Sequence, residues 1–412
     1  MQPGIDLKPR LLFVSPRFLF PVDSGGKIRT TQILRGLKGG AFAVTLAAPS
    51  NAQERERFAG DIAGVCDDFA TWEAAPRGAL KQLQRFRHLV SPYPIPVATD
   101  HSNAGERKVR ELLDDVPDVV VFDFPHSAVL APATIKVPAV MFTHNVEAEI
   151  FARHAEVATS ALTRWLWKNQ LGKMTRFERQ TMARFDMVVA VSQRDADHLR
   201  AAYGARNVRV INTGVDLDFF SWASPPVGGE IMFSGSMDWL ANQDGITYFM
   251  DEVWPHITRG RPDARMTVVG RTPPKLLVAK AQARGLNWRF TGYVDDIRDY
   301  IRAATVYVIP LRVGGGTRLK VFEAMGLGCP VVSTTVGVEG LPLEPGTHYL
   351  RADEPPAFAD AVLKLLDDAD LRLRLSQAAR RHVEANFSFR SVAREFEKIC
   401  LDTPALAAAK RT

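Results

Sequence analysis

The chain predicts an α/β protein of two parallel-sheet domains, on three observations. Short β-branched apolar runs alternate with helical stretches along the whole length, the runs are apolar at nearly every position, and the alternation lapses once near the middle. Strands apolar on both sides are buried on both faces. Strands separated by helices pair in parallel through right-handed crossovers. At 412 residues the chain also exceeds what one hydrophobic core usually spans.

In the first half the candidate strands are LLFVS, AVTLAA, DVVVFDF, PAVMFTH, DMVVAVS and VRVIN. In the second they are EIMFSGS, RMTVVG, WRFTGYV, TVYVIPL and CPVVST. Between the two sets lies VDLDFFSWASPPVGGE, rich in proline and glycine, after which the pattern restarts at Ile231. The expected organisation is a first domain over 10–215, a linker over 216–230, a second domain over 231–385 and a closing segment over 386–412. The apolar spacing from PPAFADAVLKLL onward suits helices packed on a surface.

Composition bounds the function classes. With 46% hydrophobic and 24% charged residues the chain is an ordinary globular protein. A net charge of +6 favours anionic partners such as nucleotides or acidic lipid. Nucleic acid is not expected, because no RNP, KH or zinc-finger pattern accompanies the charge. The N-terminus MQPGIDLKPR lacks an apolar signal core and no run of 18 apolar residues occurs, so a cytoplasmic protein is expected. Cys66, Cys329 and Cys400 are scattered, which argues for buried thiols over a disulfide framework or zinc site.

In open parallel sheets ligands bind outside the carboxyl ends of the strands. Two glycine loops fall at such ends, in FPVDSGGKIRT and in VGGGTRLKVFEAM. Successive glycines let backbone N–H groups converge on an anion, and a helix N-terminus adds partial positive charge. Gly314, Gly315, Gly316 and Thr317 fit that description, and Arg318 and Lys320 add two cations in the first turn. Such cations oppose the helix dipole by roughly 0.3–1 kcal/mol each unless an anion binds there. A glycine turn with exposed basic residues fits the same letters, and both readings stand at this point. SGGK, with Gly25 and Gly26, resembles a Walker A loop but has Pro21 where that motif requires glycine. Glu323, among Val321, Phe322, Ala324 and Met325, requires a partner. His144, Asp123 and His126 stand at further strand ends.

GGGTRLKVFEAMGLGCPVV, THNVEAE, VINTGVDLDFF and FSGSMDW together resemble the retaining glycosyltransferases of family 4. Within them the chain is similar to the bacterial sugar transferases associated with exopolysaccharide and PEP-CTERM systems. The resemblance runs from Leu11 to about Phe396 and implies the GT-B fold: two Rossmann-like domains facing across a cleft, with C-terminal helices packing back toward the first. It implies a nucleotide-sugar donor on the second domain and a glycan or lipid-linked acceptor mainly on the first. By resemblance Glu323 holds the donor ribose, Gly25 and Gly26 close over the donor phosphates, and Tyr293 and Val294 touch the base. His144 is implied beside the transferred sugar. The family's first glutamate, eight positions before Glu323, is Gly315 here. Its usual Arg and Lys after the first strand of the second domain are replaced by SGSMDWLANQDG, which offers Ser236 and Asn242. Arg318 and Lys320 are expected to supply the missing charge, so that no metal and no cofactor is required.

Retention is expected through front-face attack, with the leaving phosphate accepting the acceptor's proton and His144 orienting the sugar. The stretch RHAEVATSALTRWLWKNQLGKMTRFERQTMARF carries seven Arg or Lys against two Glu, interleaved with aromatic residues, and RGALKQLQRFRHLVSPY adds four more cations. Both suit an anionic membrane surface, so a peripheral position on the inner face is expected. A solvated helical face with its Trp residues in the core is the competing account. Two other functions fit the same phosphate site: a nucleotide-sugar epimerase of the same shape, and a non-catalytic sugar-nucleotide-binding subunit.

Overall fold

The computed structural model describes residues 8–73, 91–157, 160–313 and 318–411. The chain divides into two compact units, Met1–Asn212 with Val392–Thr412, and Thr213–Ser391. Each unit's sheet holds one edge strand beyond those expected from the letters.

The first unit holds β1 (Arg10–Val14), β2 (Ala43–Pro49), β3 (Asp68–Trp72), β4 (Val119–Asp123), β5 (Ala139–Phe142), β6 (Met187–Ala190) and β7 (Val208–Val210). All pair in parallel in the order β3-β2-β1-β4-β5-β6-β7. Alternate residues serve opposite faces. Leu12, Val14, Val120 and Phe122 enter one core, whereas Leu11, Phe13, Val119 and Val121 enter another. Both faces are therefore covered, and each such side chain contributes roughly 1.5–3 kcal/mol on burial. The last helix, Phe389–Arg411, covers part of the second face with Val392, Phe396 and Ile399, and the Phe396 ring lies 5.1 Å from that of Phe142.

The second unit holds β8 (Glu230–Ser234), β9 (Arg265–Val269), β10 (Trp288–Gly292), β11 (Val306–Ile309), β12 (Val331–Ser333) and β13 (Leu350–Arg351). Its sheet is parallel in the order β10-β9-β8-β11-β12-β13. Residues 216–230 pack on this unit. Leu217 is buried in its core, Trp222 Nε1 donates to Ser376 Oγ at 2.9 Å, and the Arg298 guanidinium lies 3.8 Å from the Phe219 ring centre.

β3 and β13 were not among the expected strands. Both are edge strands, one with the mixed sequence DFATW and the other two residues long, so neither carries the continuous apolar run that marks an interior strand. The two sheet orders also locate where ligands are received. The chain reverses direction across the sheet between β1 and β4 in one unit and between β8 and β11 in the other, which leaves a crevice at the carboxyl ends of those pairs.

Candidate functional site

In the second unit three neighbouring strands lead into glycine at their carboxyl ends. Gly235 donates its N–H to Val269 at 2.9 Å, Gly270 to Gly292 at 3.1 Å, and Met237 to Arg271 at 3.0 Å. A Cβ on Gly270 would stand 1.9 Å from the Gly235 carbonyl oxygen, so the two loops approach as closely as they do only with glycine there. Asn242 then fixes the β8 loop by donating Nδ2 to the Ser236 carbonyl at 2.8 Å.

Lys320 enters this loop from the helix Leu319–Leu327, which follows β11. Its ammonium donates to Asn242 Oδ1 at 3.2 Å and lies 4.3 Å from the centre of the Phe233 ring. Burial pushes Lys320 down to about 7, the Arg318 charge adds to that, and Glu323 opposes it. Glu323, one turn along, is pushed up to about 7 by burial, with Lys320 acting the other way. A cation and a carboxylate thus share one desolvated corner at the switch point, each held away from its ordinary range.

The remaining expected donor residues are placed as follows. Ser236 donates to Asp238 Oδ1 at 2.5 Å and accepts from Arg271 Nε at 2.7 Å. Tyr293 and Val294 follow β10, on the same edge of the sheet; Tyr293 is 74% exposed, whereas Val294 packs against the core. Arg318 is buried and donates from Nη2 to the Val336 carbonyl at 3.3 Å, with burial lowering its pKa. Gly314, Gly315, Gly316 and Thr317 lie outside the described residues. The structure therefore joins Lys320 to the Ser236 loop, with Glu323 one helical turn along, and directs Arg318 toward Val336. Arg271 was missed by sequence reading. Its only signal is position, directly after the glycine that ends VVG.

In the first unit Gly25 and Gly26 open the helix Gly25–Leu37. A Cβ on Gly26 would lie 2.4 Å from the Phe124 ring. Phe124 adopts φ +64°, a left-handed conformation costly for a bulky residue, and its ring stacks on His144 with centroids 3.8 Å apart. His144 is fully buried. Its Nδ1 lies 3.1 Å from Arg29 Nη1 and its Nε2 2.7 Å from Asp123 Oδ1. Guanidinium only donates, so Nδ1 accepts and Nε2 carries the proton toward Asp123. The ring is neutral, and burial lowers its pKa despite the carboxylate beside it. Asp123 also accepts from Thr30 Oγ1 at 2.9 Å and Ser15 Oγ at 3.3 Å. Gly25, Gly26 and His144 are thereby gathered around the ends of β4 and β5. Arg29 and Thr30, which tie them together, gave no sequence signal beyond lying a few residues after the glycines.

Residues 24–219 match the family described as Glycosyltransferase Family 4, and residues 228–368 match Glycosyl transferases group 1. The phosphatidyl-myo-inositol mannosyltransferase of Mycobacterium leprae is 28% identical over 313 residues, which cover 72% of this chain and 78% of that protein. The lipopolysaccharide core biosynthesis mannosyltransferase LpsB of Rhizobium meliloti is 30% identical over 241 residues, covering 53% of this chain and 66% of that protein. In fold, the chain is similar to Anabaena HepE in complex with UDP, with a TM-score of 0.64 at 14% identity over 95% of this chain and 99% of that one. With two parallel Rossmann-like sheets and these two matches in tandem, the chain belongs to the group 1 and family 4 glycosyltransferases of GT-B fold.

Proposed function

We propose that this glycosyltransferase moves a hexose from a nucleoside-diphosphate sugar to a glycan or lipid-linked acceptor with retention, in exopolysaccharide or other cell-surface glycan synthesis of the PEP-CTERM-associated kind. One observation carries the donor side. Lys320 reaches the β8 loop through Asn242, at the switch point of the second sheet, with Glu323 one turn behind it. A diphosphate bound there restores the full charge of Lys320, and ribose hydroxyls give the half-buried Glu323 the partners it requires. Ser236, the backbone of Gly314, Gly315, Gly316 and Thr317, and the Tyr293–Val294 turn complete the donor site in this reading. Arg318 and Lys320, rather than a metal ion, offset the charge that grows on the leaving diphosphate, and no cofactor takes part.

In this reading Gly25 and Gly26 are assigned to the donor phosphates and His144 to orienting the sugar, as the family resemblance implies. The relatives' names point the same way: they act on phosphatidylinositol or on lipopolysaccharide core. A cytoplasmic protein resting on the inner membrane face suits such acceptors. The helix Ala161–Met182 supports this, since it exposes Leu162 and Trp165 beside Arg164 and Lys168, although Trp167 packs inward on Phe151. Most of the second basic stretch lies outside the described residues. Among the described residues no helix is long and apolar enough to cross a membrane.

A thermal-shift panel of UDP, GDP, ADP and their sugars tests the reading, followed by product analysis with the stabilising donor. A ligand at a hundred times its Kd adds about 2.7 kcal/mol. A donor that is bound and epimerised, or bound and left intact with every acceptor, overturns it.

A further inference from the structure

The amino ends of β8, β9 and β10 depart from the pattern of the other strands. A parallel sheet is normally apolar and covered on both faces. Here the register sets Glu230 beside Arg265 and Thr267 beside Arg289, so these four side chains share one face. The opposite face is apolar: Met266 enters the core and the Trp288 ring lies 5.3 Å from that of Trp254. The polar face opens into a cavity of about 390 Å³ lined by Glu230, Arg265, Thr267, Asn287, Arg289 and Tyr300 among others. The glycine loops of the candidate donor site leave from the carboxyl ends of the same strands, about 16 Å away for a five-residue strand.

Two of the charges in this cavity match each other. Glu230 accepts from Arg265 Nε at 3.0 Å and from Thr267 Oγ1 at 2.6 Å. Arg289 has no such acid: none stands within ion-pair distance of it among the described residues. Its guanidinium carbon lies 5.7 Å from the centre of the Tyr300 ring, carried by the helix Arg298–Ala303. The Asn287 amide and the Tyr300 hydroxyl make no side-chain hydrogen bond among the described residues. With two arginines against one glutamate, the lining is left with one positive charge and three uncommitted donor groups.

We infer that the cavity at the amino ends of β8, β9 and β10 binds a sugar phosphate, its phosphate group held by the Arg289 guanidinium. The planar fork of a guanidinium matches two phosphate oxygens at once. Phosphate offers three terminal oxygens to the three donors of the lining, where a carboxylate offers two. Glu230 does not repel it, because Arg265 already offsets that charge. The volume lies at the small end of ligand pockets, so it takes a monosaccharide phosphate rather than a whole nucleotide sugar. This is a second anion site, on the edge of the sheet opposite the donor, and it does not depend on the transferase reading.

The test is isothermal titration of the full chain with D-glucose 6-phosphate as the probe and D-glucose as its uncharged control. The phosphate is expected to bind, and glucose to bind at least roughly tenfold more weakly. Arg289→Ala is expected to weaken binding of the phosphate roughly tenfold, the loss of one charge-assisted contact. Arg289 is exposed, so the variant should fold as the parent does. Arg289→Lys keeps the charge without the fork and is expected to fall between the two. Saturating UDP is expected not to displace the probe. No binding of glucose 6-phosphate, equal affinity for glucose, unchanged affinity in Arg289→Ala, or displacement by UDP overturns the inference. A thermal shift with UDP, GDP and ADP, expected to be the same in Arg289→Ala as in the parent, reports on the donor reading, so either can fail alone.

Discussion

Lys320 Nζ lies 3.2 Å from Asn242 Oδ1, so the helix after β11 delivers a cation to the loop after β8. The β8 loop has no Lys or Arg of its own from Ser236 to Gly245. Removing the cation as Lys320→Ala is expected to lower kcat by about 10²–10³, or about 2.7–4 kcal/mol, the usual cost of losing one group that stabilises transition-state charge. Steady-state kinetics with the cognate donor check it. A change in KM alone would assign Lys320 to ground-state binding.

The same pair predicts a pH signature of the ligand-free protein. Glu323 is raised to about 7, so between its ordinary carboxylate range and pH 7 the folded state holds a proton the unfolded chain has released, and stability falls as pH rises. Lys320 is lowered to about 7, so from pH 7 up to the ordinary lysine range the unfolded chain holds the extra proton, and stability rises with pH. Their joint contribution is least near neutrality. Urea denaturation across pH 5–9 should show Glu323→Gln flattening the acid limb and Lys320→Met the alkaline one.

Gly25 and Gly26 make a matched pair. Alanine at 26 puts a methyl group 2.4 Å from the Phe124 ring, itself stacked on His144, whereas at 25 nothing lies within 4 Å. Gly26→Ala is expected to cost about 1–3 kcal/mol, the range for overpacking. Gly25→Ala is expected to fall within about 0.5 kcal/mol of the parent. Denaturant midpoints of the two variants measure the difference.

His144 is held neutral by burial, and Arg29 adds to that by its charge. Replacing Arg29 with Met removes the cation at Nδ1 while Nε2 stays on Asp123, so the imidazole is expected to protonate at higher pH. Titration of histidine Cε1 resonances, with His144 assigned by substitution, reads this directly. An unchanged titration would mean that burial alone sets the state of the ring.

Repetition and local chemistry decided the parts of the fold visible in the letters. Apolar runs such as VVVFD and VYVI are legible because a strand covered on both faces must be apolar at nearly every position. The edge strands Asp68–Trp72 and Leu350–Arg351 escaped because an edge strand carries no such demand. The glycines at 25 and 26, the glutamate at 323 and the histidine at 144 could be singled out in the letters, as glycines or polar groups at strand ends or among apolar neighbours, while the roles given to them are the proposal above.

Long-range contact decided the rest. No local pattern says that Lys320 would meet Asn242 across 78 positions, or that Arg29 would reach His144 across 115. Nor do the letters show that Arg318 turns to the Val336 carbonyl, or that His126 stands between Asp100 and Glu147. A hydrophobic period is a property of neighbours in sequence, whereas a hydrogen bond between distant side chains exists only once parallel crossovers have stacked their strand ends on one edge.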